Sequence, residues 1–196
     1  MQSGNLYVYC VNNPVVYADQ TGEAATKGQI HNWVVNDIVW KYSLIGMTTN
    51  FWISYPENND YNRKYGIADL VCLVTGEVWE VKRFTVSMNS AEKQLDRYVS
   101  NIPYKTNYQG IDLVRGGSKG IYILPGIILR SEGNTTYFVY YWDCGNGIVY
   151  YNYQKFPTKD IETAVATGAA VAIGSYLFAT MQSDGAPILV DVVCAE

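Results

Sequence analysis

The stretch Tyr65–Phe84, YGIADLVCLVTGEVWEVKRF, decides the fold. Two runs rich in β-branched and aromatic residues flank the dipeptide at positions 75–76, Thr-Gly, and this pattern is typical of a β-hairpin. With 75–76 as a two-residue loop, Asp69 faces Lys82, and Glu80 lies two residues before Lys82 on the same strand. Because side chains alternate between the two faces of a sheet, all three then share one face. A three-residue loop would turn one strand over and separate them.

Two carboxylates and an ammonium group on one face suit the hydrolysis of a phosphodiester. The oxygens of Asp69 and Glu80 are hard ligands that match Mg²⁺, and the main-chain carbonyl of Val81 is a natural further ligand. A bound cation can polarise a phosphate and activate water. Lys82 can orient that water or neutralise charge growing at phosphorus. The alternative is that these are ordinary polar residues on a solvated strand face.

Two helices are predicted beside the hairpin. Residues 29–45 place apolar side chains three and four positions apart, and they include His31, the only histidine. Histidine titrates near neutral pH and can assist at a site, although a lone helix histidine is more often structural or on the surface. The second helix covers 91–100, and a capping box opens it at 89–92, Asn-Ser-Ala-Glu. The polar stretch 50–64 is predicted to be a loop.

The second helix carries two polar candidates for the site. Gln94 lies near its start and can hold a phosphate or a water ligand. Arg97 can pair with a backbone phosphate. The alternative for both is a solvated helix face, which suits Arg97 better than Gln94.

These residues together resemble a known family. Gly66-Ile67-Ala68-Asp69, then Glu80-Val81-Lys82, then Gln94 with Tyr98 are similar to the pattern of the PD-(D/E)XK nuclease superfamily. Over roughly residues 29–100, the resemblance implies an α/β (α+β) fold. Its core would be restriction-endonuclease-like, a mixed central β-sheet flanked by helices. It also implies hydrolysis of nucleic-acid phosphodiesters that depends on Mg²⁺, and Mn²⁺ is expected to be able to replace Mg²⁺.

The resemblance also assigns roles by position. Asp69 and Glu80 would be metal ligands, Lys82 the catalytic lysine and Gln94 an accessory group. The family often has an acid on its first helix, and Asp37 is the acid that this chain offers there. The chain departs from the pattern at residue 68, where alanine stands in place of the name-giving proline.

A second resemblance covers residues 5–22, NLYVYCVNNPVVYADQTG. They are similar to the end of an Rhs repeat-associated core, which precedes variable C-terminal toxin modules in bacterial polymorphic toxins. Gln20 replaces the proline of that family's Asp-Pro-x-Gly ending. The resemblance implies that residues 1–22 are a remnant of such a core and that 23–196 are a nuclease toxin domain. Such an effector would be secreted or delivered, act in the target-cell cytoplasm and be blocked by a cognate immunity protein. The sequence does not separate DNA from RNA as the substrate, and DNA is the one expected.

Charge gives a mixed indication about nucleic acid. The net charge of the 196-residue chain is −4, whereas a nucleic-acid binder usually carries a basic excess. Residues 80–120 differ, because seven bases there outnumber four acids. The bases are Lys82, Arg83, Lys93, Arg97, Lys105, Arg115 and Lys119, and the acids are Glu80, Glu92, Asp96 and Asp112.

The last third of the chain has two further features. Residues 135–153 predict a Tyr-rich antiparallel hairpin around 144–147. Residues 164–181, AVATGAAVAIGSYLFATM, carry no charge, and their 18 residues reach the lower limit for a membrane span. Their Ala and Gly content favours a buried, close-packed C-terminal helix, so no stable membrane association is expected. The alternatives to a nuclease are a catalytically inactive nuclease-fold binding module and a membrane-active toxin that uses 164–181.

Overall fold

The computed structural model describes residues 18–19, 26–54, 65–99 and 112–166. In chain order the elements are β1 (Ala18–Asp19), α1 (Lys27–Lys41), a 3-10 helix (Ser43–Ile45), β2 (Met47–Ser54), β3 (Tyr65–Cys72), β4 (Glu77–Arg83), α2 (Met88–Val99), β5 (Val114–Arg115), β6 (Gly126–Glu132), β7 (Thr135–Asp143), β8 (Ile148–Pro157) and α3 (Thr158–Ala166). The fold is α+β with mixed strand pairing, as the sequence predicts.

The described residues fall into two compact units. The larger takes its residues from Lys27–Leu124 and Asp143–Asn152. The smaller takes its residues from Pro125–Trp142, from β1 and from Tyr153 onward.

The larger unit is built on a mixed sheet in which β4 is central. β2 pairs antiparallel with β3, and β3 pairs antiparallel with β4. On its other edge β4 runs parallel to β5 near its start and parallel to β8 near its end. Helix α1 packs against β2, β3 and β4, and α2 packs against β3 and β4. Residues 77–81, which include Glu77 and Glu80, are all buried, so this central strand is covered on both faces.

The turn between β3 and β4 is longer than the predicted two-residue loop at 75–76. Leu70 pairs with Trp79, so four residues, 73–76, connect the strands. The N–H of Gly76 donates to the Cys72 carbonyl at 2.8 Å, and Gly76 adopts φ +76°. The prediction of loop length was wrong because the Thr-Gly pair closes the turn instead of forming all of it.

The error in loop length leaves the face of each side chain unchanged. The real register is displaced by two residues, and side chains alternate with a period of two. Continuing the observed pairing by one residue places Asp69 opposite Glu80 instead of opposite Lys82. The three polar residues therefore still share one face.

Strand β2 corrects the prediction that residues 50–64 form a loop. Residues 50–54 belong to β2, which pairs with β3 from Met47–Cys72 to Ser54–Tyr65. After Met47 the strand continues with three polar residues, Thr-Thr-Asn, and Asn50 has φ 53°, so the alternation that identifies a strand is weak there. The remainder of the predicted loop, 55–64, lies outside the described residues.

The two predicted helices are present with shifted ends. The first was predicted for 29–45, but α1 ends at Lys41 and a short 3-10 helix follows it. The second begins at Met88, before the predicted capping box at 89–92, which was wrong. The hydroxyl of Ser87 accepts from the N–H of Ser90 at 3.4 Å, so Ser87 occupies the capping position. Serine and asparagine are both good caps, so their order in the sequence does not identify the real one.

The smaller unit is a tyrosine-rich β structure. β6 pairs antiparallel with β7 along its whole length, and β1 pairs parallel with the end of β6. Tyr137, Tyr140 and Tyr141 of β7 are buried. A Cβ added at Gly126 would lie 2.1 Å from the ring of Tyr141, so only glycine fits there. β7 and β8 are the two strands predicted from residues 135–153.

Several predictions fall outside the part of the chain that the structure describes. Helix α3 includes residues 164–166, but the rest of the Ala/Gly-rich segment 164–181 is not described. The same is true of the Rhs-like residues 5–22 apart from β1. No helix among the described residues is both long and apolar enough to cross a membrane.

Candidate catalytic site

The candidate site lies where β3 and β4 cease to pair. Within these two described strands the main-chain pairing stops at Leu70–Trp79, although both strands continue. The N–H of Val81 donates to the carboxylate of Asp69 at 2.9 Å. In a regular ladder a main-chain carbonyl of the neighbouring strand would accept this hydrogen bond, whereas here the side chain of Asp69 accepts it. The result is a gap between the strands with polar groups on its sides.

Asp69 is held in this gap by three groups. Its Oδ1 lies 3.3 Å from Nε2 of His31, and its Oδ2 accepts from Val81 and lies 3.8 Å from Nζ of Lys82. Burial raises the pKa of Asp69, but the hydrogen bond with His31 and the positive charge of Lys82 outweigh burial and bring the pKa below 3.8. Asp69 is therefore ionised at neutral pH.

Glu80 is fully buried beside Asp69, and its two oxygens differ. Oε1 accepts a hydrogen bond from Lys82. Oε2 is buried, and no donor among the described residues reaches it. Burial, and then the negative charge of Asp69, raise the pKa of Glu80 to about 8 against the opposing effect of Lys82. At neutral pH this carboxyl therefore retains a proton unless another cation replaces it.

Lys82 and the main chain of Val81 complete the gap. The Lys82 ammonium contacts both carboxylates, and its side chain is 21% exposed, so it connects the buried acids to solvent. The N–H and C=O of one strand residue point toward the same neighbouring strand, so the Val81 carbonyl faces the gap together with its N–H. The structure thus brings together all the residues that the sequence suggested as metal ligands and catalytic lysine.

These groups fit a cation of a particular kind. Among the described residues, no set of three or more His, Cys, Asp or Glu side chains is arranged to hold a metal ion. A cation in the gap would instead use two carboxylates, the Val81 carbonyl and water. Mg²⁺ commonly binds in this way, through one or two carboxylates with several retained waters. The buried Oε2 of Glu80, which no donor in the described part of the chain reaches, is an atom that such an ion would satisfy.

Gln94 reaches the site strand through another side chain. Its amide nitrogen donates to the hydroxyl of Tyr98 at 2.9 Å, and that hydroxyl donates to the carbonyl of Ile67 at 2.8 Å. Ile67 lies two residues before Asp69 on β3. Gln94 is therefore tied to the strand that carries Asp69, while its own bond goes to Tyr98 and not to the acids or the lysine.

The three accessory candidates have different positions. His31 contacts Asp69 directly. Asp37 pairs with Lys41 one turn further along α1, with 2.8 Å between Oδ2 and Nζ. Arg97 donates through Nε to a carbonyl one turn earlier in α2, at 3.1 Å. Each of these last two contacts joins residues of a single helix.

Tyr151 lies near the site, although no pattern in the sequence indicates this position. The ring of Tyr151 on β8 lies 6.1 Å from the ring of His31, centroid to centroid, and Tyr151 is buried. Tyr151 lies beside His31 because β8 pairs in parallel with β4. Parallel strands so far apart in the chain leave no local pattern from which their pairing could be inferred.

Comparisons with known proteins place the chain in no family: no protein family, no curated protein and no solved structure matches it.

Proposed function

We propose that this chain is a Mg²⁺-dependent nuclease that hydrolyses phosphodiester bonds. The observation that carries the proposal is the fully buried carboxyl of Glu80 beside the ionised carboxylate of Asp69, with no hydrogen-bond donor to its Oε2 among the described residues. Because Glu80 is buried beside this negative charge, its ionisation is unfavourable unless a cation offsets the two charges. The Lys82 side chain is 21% exposed, so part of the cluster reaches solvent.

The roles of the chain's own groups follow from their contacts. Asp69, Glu80 and the Val81 carbonyl would hold the ion, which supplies polarisation of the phosphate and activation of water. Lys82 orients the attacking water or neutralises charge that grows on the phosphate oxygens. His31 and the Val81 N–H fix the carboxylate of Asp69 in place.

The wider context is part of the same proposal. We infer a restriction-endonuclease-like core, because one strand of a mixed sheet carries an acid and the next strand carries an acid-x-lysine sequence. The similarity of residues 5–22 to an Rhs core supports a delivered toxin, with 23–196 as its nuclease domain. DNA in a target cell's cytoplasm is the proposed substrate, and a cognate immunity protein is the proposed inhibitor.

One observation favours a second candidate, a binding module without catalysis. Lys82 contacts both carboxylates, so the cluster can balance much of its charge without a metal ion. Calorimetry separates the two candidates, because the nuclease requires Mg²⁺ binding that Asp69→Asn weakens. An absence of Mg²⁺ binding by the wild-type chain would favour the binding module.

The direct test is cleavage of DNA in Mg²⁺ and in EDTA, with a duplex plasmid and a single-stranded circular DNA as parallel substrates. We expect cleavage only in Mg²⁺, and a loss of about 10²-fold or more in Asp69→Asn and Glu80→Gln. Glu92→Gln is the matched control, because Glu92 is a partly exposed acid of α2 that lies near Arg115 instead of the gap. Cleavage that continues in EDTA, or that survives both site variants, would rule out this mechanism.

A further inference from the structure

An exposed aromatic pair lies on the β2–β3 hairpin beside the candidate site. Trp52 is 57% exposed and Tyr65 is 51% exposed. Their ring centroids are 4.5 Å apart and their planes are inclined by 47°. At this angle the rings do not cover one another completely, so aromatic surface remains available. Large exposed aromatic side chains in contact with each other typically mark a binding surface.

The pair belongs to the same sheet face as the candidate site. Strand alternation puts Tyr65, Ile67 and Asp69 on one face of β3, and the register places Trp52 of β2 opposite Ile67. Exposure decreases along this face, from Tyr65 through Ile67 at 38% to the Asp69 side chain at 19%. Trp52, Tyr65 and Ile67 therefore form an apolar strip that leads from open surface to the acids and Lys82.

We propose that Trp52 and Tyr65 form a base-stacking platform and that the substrate of this site is single-stranded nucleic acid. The assignment of a substrate rests on the proposed nuclease function. Aromatic rings stack on bases of any sequence. In a duplex the base faces are already stacked on their neighbours, so only an unpaired or extruded base can use such a platform.

The distance along the strand fits this substrate. Tyr65 and Asp69 are four residues apart, about 13 Å at the usual rise of a β-strand. That distance spans roughly four stacked nucleotides at 3.4 Å each, and fewer in an extended strand. A chain with a phosphate beside Asp69 and Lys82 would thus place a base from the same few nucleotides on the platform.

The character of the strip favours nucleic acid over an apolar protein partner. The strip ends at two carboxylates and a partly exposed ammonium group, and not at a further apolar surface. The strip has aromatic rings at one end and a charged site at the other, which matches a polymer in which bases and phosphates alternate. A hydrophobic protein surface placed over the strip would take the exposed part of the Lys82 side chain out of water and offer it no further acceptor.

The test measures binding in EDTA, so that cleavage plays no part. A short labelled oligothymidylate and a duplex of equal length are titrated with wild type, with Trp52→Ala/Tyr65→Ala and with Trp40→Ala. Trp40 is the matched control, since it is also 57% exposed but lies on α1. We expect the single strand to bind more tightly than the duplex. The platform variant should bind the single strand about 5- to 150-fold more weakly, from the usual effect of removing stacked aromatics.

Folding and function are separated by further measurements. Trp52→Phe keeps a ring and should retain most of the single-strand affinity, and thermal unfolding checks that each variant is folded. Unchanged single-strand affinity in the folded platform variant, or an equal loss for duplex, would overturn the platform and leave the surface to a protein partner. Absence of cleavage with intact Trp52-dependent binding would instead refute the nuclease and not the platform.

Discussion

The buried carboxyl of Glu80 should make the stability of the metal-free protein fall as pH rises. Folding raises the pKa of Glu80 from 4.5 to about 8, first through burial and then through the charge of Asp69. The folded chain therefore holds a proton that the unfolded chain releases. This contribution to stability is complete below about pH 4.5 and is lost as pH rises toward 8.

The size of the effect follows from those two values. The difference between 4.5 and about 8, at about 1.36 kcal/mol per pKa unit, gives an upper limit near 5 kcal/mol. Between these limits the slope should approach about 1.4 kcal/mol per pH unit. Glutamine has nearly the shape of a protonated glutamate but cannot ionise, so Glu80→Gln should remove this slope. Near pH 9 the variant should be more stable relative to wild type than it is near pH 5.

The measurement is urea unfolding of wild type and Glu80→Gln, followed by tryptophan fluorescence, from about pH 5 to about pH 9 in EDTA. The difference between the two free energies of unfolding cancels the titration of groups that both proteins share. Mg²⁺ should flatten the wild-type curve, because the ion binds the ionised carboxylate and competes with the proton. Parallel pH curves for the two proteins in EDTA would refute this account of Glu80.

Three further substitutions test individual contacts. Lys82→Met should lower the cleavage rate by about 10²- to 10³-fold while Mg²⁺ affinity, measured by calorimetry, is retained or rises, because the ammonium no longer competes for the carboxylates. Tyr98→Phe should lower the free energy of unfolding by about 1–3 kcal/mol in urea titrations, because the carbonyl of Ile67 loses its donor. Gly147→Ala should destabilise the protein more than Gly145→Ala by about 1–3 kcal/mol in the same assay. Both glycines have φ +79°, so the backbone strain is the same. An added Cβ at 147 would lie 2.7 Å from a carbonyl oxygen of β4, whereas one at 145 meets nothing within 4 Å.

Each of these expectations has a clear contrary result. Full activity of Lys82→Met would remove the lysine from the reaction. A neutral Tyr98→Phe would mean that water replaces the hydroxyl at the carbonyl of β3. Equal destabilisation by the two glycine substitutions would mean that the backbone angle dominates and that close packing at residue 147 contributes little.

The sequence predicted those parts of the fold that depend on local pattern. The β3–β4 hairpin, α1 and α2 follow from alternation and helical periodicity, which are properties of short stretches. β2 was missed because three polar residues follow Met47 and Asn50 interrupts the strand geometry. The parallel pairing of β4 with β8 was not predictable, because it joins segments more than sixty residues apart.

The same distinction applies to the candidate site. Asp69, Glu80 and Lys82 could be selected from residue type and spacing alone. The contact of His31 with Asp69 could not, because it depends on how α1 packs on the sheet. The burial of Glu80 was also hidden, since alternation predicts which face a side chain occupies but not what covers that face.

The four-residue turn at 73–76 has an evolutionary consequence. Insertions and deletions in genes change the length of a loop by whole residues. If the strands absorb a single-residue change in this turn as a register slip, the inner and outer side chains of β4 exchange places. Relatives that gain or lose two residues at once would preserve the cluster, whereas relatives with an odd change would need a compensating bulge nearby. Among homologous chains, lengths of this turn should therefore differ by even numbers wherever the lysine and both acids persist.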